Sequence, residues 1–211
     1  MLTVIIDYDS GNLHSASKAF ERMAQETNAG EVRVSADPAM VAKADRLVLP
    51  GDGAFPACRK ALAESDVFET MIEAVLERGR PFFGICVGMQ MMAQKGFEYE
   101  ATSGLGWIDG EIHKIKPNEP ALKVPHMGWN TLHVKTEHPA LAGLDEAAQV
   151  YFVHSYFFET TSPDMVIATT DYGIAVPAAV GRDNFLGTQF HPEKSQQVGQ
   201  QILRQFLSWR P

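Results

Sequence analysis

Short apolar runs alternate with amphipathic stretches along the first hundred residues, and this alternation limits the possible folds more than any other feature of the sequence. Runs rich in β-branched and aromatic residues predict buried strands at 2–7, 31–35, 46–49 and 81–85. Between them, apolar side chains at helical spacing predict helices over 12–23 and 65–78, with a shorter helix that starts at Asp37 and Pro38. Such alternation predicts a parallel sheet with helices on both faces and a functional site at the carboxyl ends of its strands.

From about residue 105 the pattern changes to successive strands. The predicted strands cover 108–115, 131–135, 149–158, 165–170, 175–180 and 185–190. A final helix is predicted over 195–209, and the polar segment 116–120 is predicted to be a loop and not a domain boundary. The sequence therefore predicts one α/β domain over residues 1–211. Its central sheet is expected to be mostly parallel and flanked by helices, with additional antiparallel strands in the second half.

A cysteine lies between the strand predicted at 81–85 and the next predicted helix, which covers 87–95 and is ended by Gly96. The run Gly84-Ile85-Cys86-Val87-Gly88 has the pattern of a nucleophile elbow, a sharp strand-to-helix turn that requires small residues on either side of the nucleophile. The N-terminus of a helix favours the thiolate form of a cysteine. A lone cysteine after an apolar strand is most often only a small buried side chain, so this stretch alone leaves both interpretations open.

A second stretch, about a hundred residues further on, contains the groups that a cysteine nucleophile needs. Its strand-like alternation ends at Pro192, so His191 and Glu193 are predicted to project from the same face. A carboxylate beside an imidazole fixes its tautomer and stabilises the imidazolium that forms when the ring takes a thiol proton. Separately, His191 is more simply a strand-end histidine and Glu193 a solvated charge. Together with Cys86 they predict a catalytic site with a nucleophile, a base and an orienting acid.

Composition argues against several other classes of function. The net charge of −8 argues against nucleic acid or an anionic membrane as the main partner, and no apolar run is long enough to span a bilayer. Two cysteines, Cys58 and Cys86, are too few for a disulfide framework, so the cytoplasm is the expected location. A zinc site at Cys86, His191 and Glu193 would lack a well-placed fourth ligand. We therefore expect no metal and no cofactor.

The sequence resembles a known family at these same residues. The motif Gly-Ile-Cys-Val-Gly-Met-Gln at 84–90, followed by Phe-His-Pro-Glu-Lys-Ser at 190–195, is similar to the motifs of triad-type (class I) glutamine amidotransferases. Three further stretches, 7–12, 125–130 and 153–156, resemble the glutaminase subunits of imidazole glycerol phosphate synthases. The resemblance runs from about the first predicted strand to the last predicted helix.

The resemblance implies an enzyme of L-histidine biosynthesis that hydrolyses L-glutamine to L-glutamate and ammonia. The catalytic residues would be Cys86, His191 and Glu193. The ammonia would pass to a (β/α)8-barrel cyclase subunit, the partner in a heterodimer. That subunit would make imidazole glycerol phosphate and an aminoimidazole carboxamide ribotide.

The resemblance also implies roles for residues around the triad. Backbone N–H groups in an oxyanion hole would come from Gly51, Asp52 and Val87, although the 50–53 loop is also explained as an ordinary strand-to-helix turn. Glutamine would be held by Gly53, Gln90, His154, Ser155 and Tyr156. Gln90 lies one helical turn after Cys86, where its amide could bond a substrate carboxylate or amide. Gln90 is also explained as a solvated helix residue, and His154 is also explained as a core histidine. The surface that faces the cyclase would include Tyr8, Asn12, Met127, Trp129, Asn130 and Lys194.

Other functions remain open on the sequence alone. The glutaminase subunit of another amidotransferase, or a stand-alone cysteine hydrolase of the same α/β class, would use the same elbow. A stand-alone hydrolase would not need the 126–130 surface. A catalytically silent interaction module would keep that surface and tolerate Cys86→Ala without loss.

Overall fold

The computed structural model describes residues 1–9 and 13–211 of the chain. Its first half contains, in order, β1 (Leu2–Ile6), α1 (Leu13–Thr27), β2 (Glu31–Ser35), α2 (Pro38–Lys43), β3 (Arg46–Gly51), α3 (Phe55–Glu64), α4 (Phe68–Ile72), a π-helical turn (Glu73–Glu77), β4 (Phe82–Cys86), α5 (Val87–Gln90), β5 (Ala93–Gly96) and β6 (Thr102–Ser103). The second half is mostly β: β7 (Ile108–Lys114), β8 (His126–Thr131), β9 (His133–Val134), β10 (Gln149–His154), β11 (Tyr156–Thr160), β12 (Val166–Asp171), β13 (Ala175–Arg182), β14 (Phe185–Thr188) and α6 (Gln196–Ser208). Short 3₁₀ turns lie at Pro139–Leu141, Pro163–Met165 and Pro192–Lys194.

The central sheet has eight strands within the described residues, in the order β2-β1-β3-β4-β14-β13-β12-β9. The strands from β2 to β14 in that order are parallel to their neighbours, whereas β13, β12 and β9 pair antiparallel. Two smaller sheets have the orders β11-β7-β5-β6 and β10-β8. The predicted α/β fold class is confirmed, including the antiparallel additions from the second half of the chain.

Apolar helix faces pack on the central sheet where the spacing of apolar residues predicts. On one face, Phe20 of α1, Phe83 of β4 and Phe206 of α6 form an aromatic cluster with ring centroids 5.1–6.2 Å apart. All three side chains are fully buried. The short helix α2 begins as its sequence predicts, because the Asp37 side chain accepts a hydrogen bond from the Ala39 N–H. These packed layers hold the carboxyl ends of β3, β4 and β14 at one edge.

The helix predicted over 87–95 is wrong beyond its first turn. After Gln90 the chain turns and enters β5, which pairs with β6 and β7. The backbone carbonyl of Met92 accepts hydrogen bonds from the N–H groups of Trp107 and Ile108. A side chain at Gly104 would lie 1.9 Å from the Ala93 carbonyl oxygen, so this close approach requires glycine. Pairing with a segment more than ten residues away therefore overrides a local pattern that favours helix.

Other predicted elements differ in their extent. The strand predicted over 149–158 is two strands, because the chain leaves β10 at His154 and joins a different sheet as β11 at Tyr156. The strand predicted over 131–135 is only the short β9, and neither β8 nor helix α3 was predicted. Leu76, which the helical pattern of 65–78 turns inward, is 50% exposed because the last turns of that segment are π-helical. Among residues 1–9 and 13–211, no helix combines the length and apolar character that crossing a bilayer needs.

Candidate active site

Cys86 occupies a strained turn between β4 and α5. Its φ of 55° and ψ of −111° lie outside the regions that most residues adopt. A β-carbon at Gly84 would lie 2.7 Å from the Gly88 carbonyl, and one at Gly88 would lie 1.9 Å from the Leu49 carbonyl oxygen. The two flanking glycines are therefore required by backbone contact, as the elbow pattern predicts.

His191 and Glu193 lie next to this turn. The His191 Nδ1 is 2.8 Å from the Glu193 Oε1, and both side chains are almost completely buried. They do not alternate on a strand, as predicted, because β14 ends at Thr188 and a 3₁₀ turn brings the carboxylate back to the ring. On its other side the ring lines the same cavity as Cys86, close enough for the sulfur to raise the pKa of the imidazole. The structure thus brings together all three residues of the predicted catalytic set.

The contacts of His191 determine its charge. Burial alone would lower the pKa of the imidazole, but hydrogen bonds to Cys86 and Glu193, and the negative charges of both, raise it to about 10. The ring is therefore an imidazolium at neutral pH, paired with sulfur on one side and carboxylate on the other. Because this pKa exceeds the ordinary value of 6.5, the contribution of the charged ring to folding stability is complete below about pH 6.5 and is lost as the pH rises toward 10.

We expect the His191 ring to stay protonated well above neutral pH. In ¹⁵N NMR of the imidazole, its resonances should remain those of an imidazolium through neutral pH and change only near pH 10. In Cys86→Ala the midpoint should fall, because the hydrogen bond and charge of the sulfur are gone. Cys58→Ala, which alters the other cysteine, should leave the midpoint unchanged. A native midpoint near 6.5 would contradict this charge assignment.

The loop after β3 lies beside the sulfur. Gly51 is directly opposite Cys86 in the parallel pairing of β3 and β4. A β-carbon at Gly51 would lie 2.5 Å from the Gly88 nitrogen, so the loop and the elbow are in close backbone contact. Asp52 is exposed, and its backbone carbonyl accepts a bond from the Cys58 Sγ at 3.7 Å. Gly53 has a φ of 127°, a conformation that favours glycine.

A cavity of about 300 Å³ opens above Cys86. Its lining includes most of the predicted oxyanion and substrate residues: Asp52, Gly53, Val87, Gln90, His154, Ser155 and Tyr156. The sequence interpretation missed three further lining residues, Glu98, Pro125 and Val153. Glu98 follows β5, a strand that the sequence did not predict, so its position near the nucleophile had no local signal. Gly51 lies below this cavity, where it lines a much smaller void behind His191 and Glu193.

Gln90 is 3% exposed and is not a solvated helix residue. Its Nε2 donates to the Tyr156 carbonyl oxygen at 3.0 Å and to the Gln189 Oε1 at 2.9 Å. Both N–H bonds of the amide are therefore used within the protein, which leaves only its oxygen for a substrate. Gln189 was also missed, although it lies two residues before His191. Its Nε2 is 3.6 Å from the Cys86 Sγ.

His154 is a buried, neutral histidine, in agreement with its interpretation as a core residue. Burial lowers its pKa to about 3, despite a hydrogen bond from its ring to the Tyr156 carbonyl oxygen that raises the pKa. A ring with so low a pKa does not serve as a proton carrier at neutral pH. Within the part of the chain that the structure describes, no cluster of three His, Cys, Asp or Glu side chains is arranged to hold a metal ion.

The residues predicted to face a cyclase differ in exposure. Met127 is 61% exposed and Trp129 is 45% exposed, whereas Asn130 is half-buried and Lys194 is exposed. Tyr8 is 3% exposed, and its hydroxyl donates to the Pro50 carbonyl oxygen at 2.7 Å. Its side chain therefore supports the loop beside Cys86 and is not presented at the surface of the isolated chain. Asn12 lies outside the described residues.

Comparisons with known proteins agree with this geometry. The family model described as glutamine amidotransferase class-I matches residues 4–209. The chain is 58% identical over 212 residues to the imidazole glycerol phosphate synthase subunit HisH of Cereibacter sphaeroides, and all of both chains is covered. The HisH subunit of Ruegeria pomeroyi matches with the same identity and coverage. A crystal structure of a glutamine amidotransferase shares the fold, with a TM-score of 0.72 at 20% identity and 97% of each chain covered. A full-length match of this quality, on a chain whose cysteine, histidine and glutamate converge, establishes that the chain belongs to the class-I glutamine amidotransferases, among the HisH subunits of imidazole glycerol phosphate synthase.

Proposed function

We propose that Cys86, His191 and Glu193 carry out the glutaminase reaction of this imidazole glycerol phosphate synthase subunit. The subunit hydrolyses L-glutamine to L-glutamate and ammonia in histidine biosynthesis. The observation that carries the assignment is the position of the His191 ring, which lines the cavity together with Cys86 and lies 2.8 Å from the Glu193 carboxylate.

The reaction begins from the ion pair of thiolate and imidazolium. The Cys86 sulfur attacks the side-chain amide carbon of glutamine and forms a tetrahedral oxyanion. His191 gives its proton to the amide nitrogen, ammonia leaves, and a thioester remains on the sulfur. The neutral His191 then takes a proton from water, and the resulting hydroxide attacks the thioester. Collapse of the second intermediate releases glutamate and restores the ion pair.

Backbone N–H groups hold the oxyanion in this proposal. Val87 is the first residue of α5, so its N–H has no partner within the helix. The 51–52 peptide lies across from it, at the end of β3. Donors so placed typically lower the barrier by about 3 kcal/mol each. Because a carboxylate would repel the oxyanion, the proposal requires the exposed Asp52 side chain to turn away while its backbone contributes.

Charged and polar groups of the cavity position glutamine. The Gln90 oxygen is an acceptor, so it suits an N–H group of glutamine and not its carboxylate. Glu98 brings a carboxylate to the cavity, which suits the α-ammonium group. Gly53 and the backbone of residues 154–156 complete the site. At 154–156 the chain passes from one sheet to another, so these backbone groups are not part of a continuous ladder.

The partner proposed for this subunit is a (β/α)8-barrel cyclase. The exposed Met127 and Trp129 support an interface, because methionine and aromatic side chains are enriched at interface cores. Ammonia is mostly ammonium at neutral pH, so direct transfer to the cyclase keeps it nucleophilic. We expect slow hydrolysis without the partner, because the 51–53 loop turns its N–H inward only in the activated complex.

The decisive measurement is ammonia release from glutamine by wild type and Cys86→Ala, each with and without the cyclase. We expect Cys86→Ala to lower the rate by about 10⁴-fold or more, since the nucleophile is lost. The variant complex should still make product from added ammonium salt, which shows that it folds and assembles. Unchanged glutaminase activity in Cys86→Ala would indicate a silent interaction module. Equal wild-type rates with and without the cyclase would indicate a stand-alone hydrolase.

A further inference from the structure

The backbone carbonyl of Tyr156 accepts two hydrogen bonds, one from Gln90 and one from His154. The Gln90 Nε2 donates to it at 3.0 Å, and the His154 Nδ1 is 2.8 Å away. A carbonyl oxygen only accepts, so both partners must present an N–H. This one oxygen therefore fixes the orientation of the Gln90 amide and the tautomer of the His154 ring.

From Gln90, the fixed order of hydrogen-bond donors and acceptors extends to the nucleophile. Because the Gln90 nitrogen points toward Tyr156 and Gln189, the Gln189 group facing it must be the amide oxygen, at 2.9 Å. The Gln189 nitrogen then necessarily faces the Cys86 Sγ, at 3.6 Å. Gln189 is fully buried, so no water competes for this N–H. The sulfur thus receives an oriented amide donor in addition to the His191 imidazolium.

From His154, the fixed order of donors and acceptors extends toward the surface. Because the His154 Nδ1–H donates to the Tyr156 carbonyl, the Nε2 of the neutral ring carries no proton and is an acceptor. This Nε2 lies 3.0 Å from the His126 Nδ1. His126 must therefore carry its proton on Nδ1 and accept at Nε2, where the Asn130 Nδ2 lies 3.2 Å away. The same Asn130 nitrogen donates to the Asp171 carbonyl oxygen at 2.8 Å. Every bond in the line has one donor and one acceptor.

We propose that Gln189 is a positioning residue for the Cys86 sulfur, and that the line Asn130–His126–His154–Tyr156–Gln90–Gln189 is ordered outward from the Tyr156 carbonyl, which sets the Gln189 amide through Gln90 and the two histidine tautomers as far as Asn130. This inference rests on the proposed role of Cys86 as the nucleophile. Asn130 ends the line next to the exposed Trp129, and the order of donors and acceptors on each side of Tyr156 is set by its carbonyl oxygen.

The line requires both histidines to be neutral. A second ring proton on either would face an N–H instead of an acceptor. Burial lowers the pKa of His126 to about 4, and burial together with the neighbouring His126 and His191 lowers that of His154 to about 3, against the bond to Tyr156 that raises it. Asp171 contributes its carbonyl, not its carboxylate, to Asn130. The pattern therefore persists through neutral pH.

The first test is the rate at which iodoacetamide alkylates Cys86 in the full-length isolated subunit, followed at the Cys86 peptide by mass spectrometry. Gln189→Met keeps the length of the side chain but removes the N–H. We expect alkylation at pH 7 to slow by about tenfold. In the synthase complex kcat should fall by a similar factor with KM within about twofold. Gln94→Met, at an exposed glutamine whose Nε2 contacts Asp109, is the matched control and should match wild type.

The second test examines the line itself. In ¹⁵N NMR of the wild type, His126 and His154 should both be neutral with the proton on Nδ1. Asn130→Asp puts a carboxylate oxygen against the His126 Nε2 and should move a proton there, whereas Asn118→Asp, at an exposed loop residue, should change neither ring.

Two results overturn the inference. One is unchanged alkylation in Gln189→Met, and the other is an Nε2–H tautomer at His126 or His154 in the wild type. The alkylation assay needs neither glutamine nor the cyclase. If Gln189→Met behaves as wild type while Cys86→Ala abolishes ammonia release, only this inference fails and the proposed function stands.

Discussion

Replacing Glu193 with glutamine should lower the kcat for glutamine hydrolysis by about 10³- to 10⁴-fold. The Glu193 Oε1 lies 2.8 Å from the His191 Nδ1, and the Oε2 has no hydrogen-bond partner among the described residues. The carboxylate therefore acts mainly on the ring, where it fixes the Nδ1–H tautomer and stabilises the imidazolium. Glutamine has nearly the same shape but no charge, so the ring loses its charge partner while the packing remains.

Steady-state kinetics of the assembled synthase would test this expectation. Added ammonium salt should restore product formation by the Glu193→Gln complex, since the cyclase reaction does not use the triad. The matched control is Glu77→Gln, at an exposed position at the end of the π-helical turn, which should leave kcat unchanged. A loss of less than tenfold in Glu193→Gln would remove Glu193 from the catalytic set.

Gly88→Ala should remove most of the activity and also destabilise the fold. The new β-carbon would lie 1.9 Å from the Leu49 carbonyl oxygen, a backbone atom of the buried strand β3. Overpacking of this kind typically costs about 1–3 kcal/mol, and occasionally more when backbone must move. Any shift that relieves the clash displaces the elbow from His191, and a misplacement of about 1 Å costs about 10² in rate.

Denaturant unfolding and kcat should be measured together for this variant. Gly79→Ala is an informative control, because Gly79 has a φ of 61° but nothing within 4 Å of the added carbon. It should lose about 1 kcal/mol from backbone strain and keep its kcat. If Gly88→Ala matched Gly79→Ala in both measurements, the close contact between β3 and the elbow would not be required for the site.

The fold class and the catalytic set could be predicted because both leave local signals. Alternating apolar runs place Cys86 at the end of β4, and the Gly-x-Cys-x-Gly spacing follows from backbone contacts that admit no side chain. His191 and Glu193 are two residues apart, so either an extended strand or the observed 3₁₀ turn keeps them close. The prediction of their proximity therefore survived an incorrect assignment of their local structure.

The rest depends on partners that are distant in sequence. The run after Cys86 is apolar enough for a helix, and only its pairing with residues 102–112 makes it β5. Gln90 and Gln189 are 99 residues apart, and neither shows by itself that one amide orients the other. Glu98 reaches the cavity only because β5 exists. Hydrogen-bonded lines and cavity linings of this kind arise only in the tertiary fold, so no periodic pattern in the sequence predicts them.

The four-residue helix α5 has a mechanical consequence. It joins β4 of the eight-stranded sheet directly to β5 of the four-stranded sheet, and Cys86 lies at the start of this junction. A movement of the smaller sheet relative to the larger one would be transmitted to Cys86 through the short segment between β4 and β5. Because the turn that holds Cys86 belongs to the covalent link between the two sheets, a shift of one sheet relative to the other would move the sulfur without any contact to the substrate.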